Sequence, residues 1–184
     1  MRIIRGEFVG KALIAPTSTL TRPTSDKVRQ AIFNVIEHNV DMQDLRGATV
    51  LDVFAGAGGL GLEALSRGAK HITFVDNQRE AVRNLQTLIC QWNIEDRTTV
   101  YAQDILTLPV AANPVDFILC DPPYGKDLVN LAIAHLHKRR WIGANTTIVA
   151  EMQKHDELGL DFALDLLQEK KYGDTKVIFF KLEA

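Results

Sequence analysis

The sequence predicts an α/β fold: a doubly wound, mostly parallel seven-stranded sheet that ends in an antiparallel hairpin. Three observations carry this. From Gly47 onward, short β-rich apolar runs alternate with segments whose apolar residues recur at the helical period of about 3.6. A glycine-dense turn separates the first of those strands from the first of those helices. Near the C-terminus the alternation gives way to two runs joined around Tyr172-Gly173-Asp174.

Taken in order, residues 2–15 read as two short strands flanking Gly6 to Gly10, a small hairpin. Thr21-Arg22-Pro23-Thr24-Ser25 is a turn into a helix with Val28, Ile32, Val35 and Ile36 on its apolar face, capped by Thr24 or Ser25. Strand 48–54 is followed by helix 59–67, and strand 71–76 by helix 78–92, in which Ala81, Val82, Leu85, Leu88, Ile89 and Trp92 share one face. Strands 98–103 and 115–120 come next, then a helix with Leu128, Val129, Ala132, Ile133 and Leu136 on one side. Strand 146–150 and the pair 161–170 and 175–182 complete the sheet. The expected division is an N-terminal hairpin and helix extension, 1–46, and a core, 47–184.

A chain of 184 residues, 46% hydrophobic, buries one sizeable core. No stretch approaches the ~20 apolar residues of a membrane span, and Met1-Arg2-Ile3-Ile4-Arg5-Gly6 lacks the apolar centre of a signal peptide. The two cysteines, Cys90 and Cys120, have no metal spacing and read as buried, reduced thiols of a cytosolic protein. None of His38, His71, His135, His137 or His155 shows a metal-ligand pattern, so no metal is expected. The net charge of −2 hides an asymmetry: within residues 1–30, Arg2, Arg5, Lys11, Arg22, Lys27 and Arg29 face only Glu7 and Asp26. A basic arm on an acidic body suits local phosphate binding. Lys138-Arg139-Arg140, after a predicted helix, is expected to add to the same face or to sit as a solvated helix end.

Two motifs carry chemistry. Asp121-Pro122-Pro123-Tyr124 follows the apolar run Phe117-Ile118-Leu119-Cys120. The prolines fix φ and supply no competing N–H, the Asp121 carboxylate and Pro122 carbonyl accept hydrogen bonds from an exocyclic amino group, and Tyr124 offers a stacking face. The second motif, Val50-Leu51-Asp52-Val53-Phe54-Ala55-Gly56-Ala57-Gly58-Gly59-Leu60-Gly61, is a strand, a glycine turn and a helix start, a nucleotide-binding corner. It matches G-x-G-x-x-G, and Asp76 follows at the end of the next strand, which brings in a dehydrogenase as a reading. Against that, Asp52 would repel a pyrophosphate while suiting a cationic ligand such as S-adenosylmethionine (SAM), and no dehydrogenase needs the Pro-Pro corner. Asp76 is placed to hold ribose hydroxyls and Asp104 the adenine amino group, or to cap a turn. Asp52, Asp76, Asp104 and Asp121 all fall at strand carboxyl ends, where such sheets bind ligands.

With these residues in hand, the chain resembles the class I SAM-dependent methyltransferases, and within them the RsmD family, which methylates the guanine N2 of 16S ribosomal RNA. The matching stretches are Arg2-Ile3-Ile4 through Gly6, Thr21-Arg22-Pro23-Thr24-Ser25-Asp26-Lys27-Val28, the glycine turn with Leu60 to Gly68, Asp121-Pro122-Pro123-Tyr124, Glu151 and Tyr172-Gly173-Asp174-Thr175. Ala57 stands where the family often has Ser. The resemblance implies a Rossmann-like fold and a cytoplasmic enzyme acting on 16S ribosomal RNA, free or within the small subunit; nothing in the sequence demands more than a monomer. It implies catalysis at Asp121, Pro122, Pro123 and Tyr124, and SAM held by Asp52, Phe54, Ala55, Gly56, Gly58, Asp76, Asn77, Asp104 and Ile105. RNA contacts are expected from Arg2, Arg5, Lys11, Arg22, Lys27 and Arg29. The rivals are a DNA adenine or cytosine amino methyltransferase, a methyltransferase acting on a protein glutamine amide, and a SAM-binding assembly factor without turnover.

Overall fold

Seven strands form one sheet in the order β3-β2-β1-β4-β5-β7-β6. A computed structural model describes residues 1–14, 26–123 and 127–183 of the chain. The strands are β1 (Thr49–Val53), β2 (His71–Val75), β3 (Thr98–Tyr101), β4 (Phe117–Cys120), β5 (Thr147–Gln153), β6 (Leu164–Tyr172) and β7 (Thr175–Leu182). The helices are α1 (Asp26–His38), α2 (Gly59–Ser66), α3 (Arg79–Trp92) and α4 (Leu128–Lys138). β1 to β5 pair in parallel, and β7 runs antiparallel to both β5 and β6. The expected doubly wound sheet and its terminal hairpin are therefore present, with helices on both faces.

Side chains alternate along each strand, so each strand feeds two cores. Val50, Leu119, Val149, Val177 and Phe179 pack under α1, α2 and α3, together with Ile32, Phe33, Leu62 and Leu65. Leu51, Val53, Ile118, Cys120, Ile148, Ala150 and Phe180 pack against Val129, Ala132, Ile133 and Leu136 of α4. Strand order reverses between β1 and β4: the chain winds outward from β1 through β2 to β3, then returns to β4 on the other side. The crevice at that reversal lies at the strand carboxyl ends, where this architecture binds ligands.

Several details depart from the sequence reading. The N-terminal segment is closed by a single antiparallel bridge, Arg2 to Ala12, rather than by two strands. Its backbone donors go to α2 instead: Ile4 N and Arg5 N donate to the Glu63 carboxylate at 2.8 and 3.1 Å, and Glu7 N to the Ser66 carbonyl at 2.8 Å. Gly6, at φ 91°, lies so close to that carbonyl that a Cβ would sit 1.8 Å from it. Cys90 is exposed, one step past buried Ile89 on the outer side of α3, whereas Cys120 is buried as expected. Lys138-Arg139-Arg140 closes α4, on the face opposite the N-terminal segment, so it does not extend the basic arm. The expected caps Thr24 and Ser25 lie outside the described residues. No helix among the described residues is long and apolar enough to cross a membrane.

Glu63 fastens the N-terminal segment to the core. Fully buried, it also accepts from Arg67 Nε at 2.8 Å and faces Arg29 Nε at 3.7 Å. Removing it would leave buried Arg29 and Arg67 with only Asp26 and Glu37, respectively, as carboxylate partners, and the Ile4 and Arg5 N–H groups without their acceptor. Glu63→Ala is expected to cost about 3–5 kcal/mol of stability, read as a lowered denaturant midpoint; an unchanged midpoint would show that the N-terminal segment is held by apolar packing alone.

Candidate functional site

The site is assembled by one pairing. β1 and β4 are hydrogen-bonded neighbours in the register Asp52↔Leu119 and Val53↔Cys120. The glycine corner begins at Phe54 and the Pro-Pro corner at Asp121, so both leave the sheet one residue beyond the same pair. Parallel strands stand about 4.8 Å apart, which makes the two corners immediate neighbours.

The glycine corner is tight. Phe54 (φ 61°), Gly56 (φ 53°) and Gly58 (φ 75°) all take the left-handed conformation, and Gly58 N donates to the Ala55 carbonyl at 2.7 Å. A Cβ on Gly58 would come within 2.7 Å of Leu85, and one on Gly61 within 2.4 Å of Phe74 and 2.9 Å of the Asp52 carboxylate. At Gly56 the nearest atom to a Cβ would be a backbone oxygen 3.9 Å away, so that side of the turn is open. Holding Phe54 at positive φ costs of the order of 1–3 kcal/mol, a strain that concentrates at ligand sites.

Asp52 is 2% exposed, and its Oδ2 accepts from Gly61 N at 2.8 Å. Its charge occupies the N-terminal end of α2, where a dinucleotide enzyme would place its pyrophosphate. This disfavours the dehydrogenase reading more directly than composition could. Burial pushes the Asp52 carboxyl up to about 7, against the Gly61 hydrogen bond and with help from Asp76. Asp76, also buried, accepts from Gly56 N through Oδ2 and from Gln78 N through Oδ1, both at 2.7 Å. It thus ties the glycine turn to the start of α3, with lone pairs to spare for hydroxyls.

Asp104 and Asn77 come together at the ends of β3 and β2, 3.4 Å apart and exposed. Asp104 also caps a short 3-10 turn by accepting from Leu106 N at 2.9 Å, so the turn-capping alternative is realised while its outer oxygen stays accessible. Ile105 is buried beside it. On the other side, Asp121 is half-buried, Pro122 buried and Pro123 exposed. The Cys120 thiol is pushed well up by burial and then by the Asp121 and Asp52 carboxylates. Tyr124 lies outside the described residues.

The basic arm fares differently. Arg29, expected to contact RNA, is 0% exposed: it pairs with Asp26 at 3.1 Å, faces Glu63, and its Nη2 donates to the Arg2 carbonyl. It is committed to the interior and unavailable to a phosphate. Arg5 is paired with Glu37 at 2.9 Å, and Lys11 lies over the rings of Phe8 and Trp92 at 4.8 and 4.9 Å. Arg2 and Lys27 are exposed, and Arg22 lies outside the described residues. The sequence reading missed Glu63 and Arg67, although an acid inside Leu60-Gly61-Leu62-Glu63-Ala64-Leu65 with an arginine four residues later was a readable signal.

Strand order, glycine corner and Pro-Pro corner together define a methyltransferase of the Rossmann-like class. A family model described as conserved hypothetical protein 95 matches residues 1–181, and the chain belongs to that family. It is 35% identical to YlbH of Bacillus subtilis over 98% of both chains. It is 34% identical to ribosomal RNA small subunit methyltransferase D of Haemophilus influenzae, over 94% of this chain and 89% of that one. The solved structure of yhhF from Escherichia coli superposes with a TM-score of 0.85 at 28% identity, covering 100% of this chain and 98% of that one.

The raised Asp52 carboxyl has a measurable consequence. In the unfolded chain it ionises in the ordinary carboxylate range, so between about pH 4 and 7 only the folded state keeps the proton. Its stabilising contribution is full at low pH and is lost as pH rises through about 7. Asp52→Asn is expected to melt higher than the wild type at about pH 8, with the gap narrowing toward about pH 5. Parallel melting curves across that range would show Asp52 ionised throughout.

Proposed function

We propose that this protein transfers the methyl group of SAM to the exocyclic N2 of a guanine in 16S ribosomal RNA, as a cytoplasmic monomer. The observation that carries the reading is the β1–β4 register, which sets a nucleoside corner beside an amino-group corner. The Haemophilus influenzae relative's name supports ribosomal RNA as the acceptor.

The residues fit such a cofactor. Asp52 and Asp76 converge on the glycine turn, and neither forms an ion pair among the described residues. A cation placed there would offset the burial of Asp52. Asp52 and the backbone of Gly56 and Gly58 would hold the methionine end, Asp76 the ribose and Asp104 the adenine amino group, with Phe54, Ala55, Asn77 and Ile105 lining the site. When bound, SAM supplies a methyl carbon made electrophilic by its sulfonium.

The remaining chemistry belongs to the chain. The guanine N2 is a weak nucleophile because its lone pair is delocalised into the ring. Asp121 and the Pro122 carbonyl accept its two hydrogens, which raises electron density on the nitrogen and fixes its approach. Pro122 and Pro123 keep that carbonyl in place without a competing donor. Once the new N–C bond has formed, the nitrogen is cationic and acidic. Its surplus proton then leaves to Asp121 or to water without a strong base. Tyr124, next in sequence, is assigned the stacking role on the motif alone. A guanine splayed from its loop reaches this corner.

Residues 1–46 serve in this reading as an RNA-binding and cofactor-covering extension of the core, 47–184. Arg2, Lys27 and Arg22 are its phosphate contacts in the proposal, and Arg5 and Lys11 contribute where their present partners yield. The substrate is 16S RNA, free or within an assembling small subunit. Mapping methylated guanines in small-subunit RNA from cells with and without the protein tests the assignment; a methyl mark that persists without the protein would refute it. Asp121→Ala is expected to lower turnover by at least about 100-fold while leaving SAM affinity unchanged by titration calorimetry. Retained turnover would remove Asp121 from the mechanism.

A further inference from the structure

Beside Asp121, one strand over, stands a buried acid that the proposed chemistry has not used. β5 pairs with β4 in parallel register, Leu119↔Val149 and Cys120↔Ala150, so Glu151 comes level with Asp121 at the next step. Alternation along β5 decides where its side chain points. Ala150 and Met152 belong to the core under α4, whereas Val149 belongs to the core under α1 and α2. Glu151 therefore faces the α1 and α2 side. Asp52 faces the same side, since its neighbours Leu51 and Val53 belong to the α4 core. Glu151 is 7% exposed, in a strand whose residues Thr147 to Met152 are all buried. A carboxylate is seldom found so deeply buried in a strand, and packing alone would be met by another valine.

We propose that Glu151 is a specificity residue that reads the Watson–Crick edge of the acceptor base by accepting the guanine N1–H, next to the N2 hydrogens taken by Asp121 and the Pro122 carbonyl. The inference rests on the guanine-N2 reading above and deepens it. Guanine presents two kinds of donor side by side on this edge, N1–H and N2–H₂. Adenine at N1 and cytosine at N3 present a lone pair instead, which would leave the buried carboxylate facing another acceptor. Two adjacent strands ending in acceptors thus select guanine and reject the other amino-bearing bases, by leaving a buried polar group unpaired in the wrong complex. Such a pair of acceptors would not serve a DNA adenine or cytosine methyltransferase.

The test uses the full-length protein and small-subunit RNA in which the mapped target guanine is replaced by 2-aminopurine, which keeps the N2 amino group and lacks the N1–H. Wild-type protein is expected to methylate guanine about 10- to 100-fold faster than 2-aminopurine. Glu151→Ala is expected to slow guanine and to speed 2-aminopurine, bringing the two rates within about threefold, with SAM affinity as in the wild type. Glu151→Gln keeps the side-chain volume and is expected to give an intermediate ratio. Variants that slow both bases equally, or that weaken SAM binding at an unchanged ratio, would overturn the proposal by making Glu151 structural. A wild-type protein that methylates no RNA guanine would refute the function itself, a result distinct from an unchanged ratio.

Discussion

Everything in the site follows from the parallel pairing of β1 with β4 where the sheet reverses its winding. A right-handed crossover from β1 carries the chain to β2 and β3 on one side, and the return to β4 sets a new crossover on the other. The loops leaving the two central strands therefore diverge and open a crevice. Because Val53 and Cys120 are register partners, each corner starts at the same height. The glycines let one corner turn closely over the sheet, and the prolines stiffen the other. Neither motif alone specifies transfer between two ligands; their shared strand pair does.

A second thread is the placement of acids on the face covered by α1 and α2. Asp52 closes the amino end of α2, Glu63 within α2 gathers the N-terminal segment and two arginines, and Glu151 points to the same side from β5. Their environments differ in kind. Glu63 is surrounded by donors and serves to join parts of the fold. Asp52 has one backbone donor and an acid nearby, so its burial opposes folding until a cation arrives. An acid that the free protein tolerates at a cost, beside an open glycine turn, is what a site looks like when stability has yielded to binding.

The sheet was legible because its strands are short apolar runs separated by helical periodicity, both local properties. What sequence reading missed was set by partners far along the chain. β5 runs on to Gln153, past the expected end at residue 150, because Glu151, Met152 and Gln153 find partners in β7. β3 stops at Tyr101 because the chain turns there toward the Asp104 cap. Arg29 looked like a surface cation on an amphipathic helix, and only Glu63, 34 residues later, explains its burial. Asp52, Asp76 and Asp121 could be proposed as site residues from the sequence because each adjoins a turn motif. Glu151 could be quoted but not given a role, since the register that brings it level with Asp121 is invisible one strand at a time.

The central claim is that the two corners share one reaction space, and a crystal structure with S-adenosylhomocysteine and a target RNA fragment measures this directly. The cofactor sulfur is expected over the Gly56–Gly58 turn and the guanine N2 against Asp121 and Pro122. The two atoms should lie about 5 Å apart, a near-attack separation plus one S–C bond. A base bound elsewhere, or a sulfur facing away from Pro122 across a gap of about 10 Å or more, would contradict it, since no near-attack geometry bridges that span.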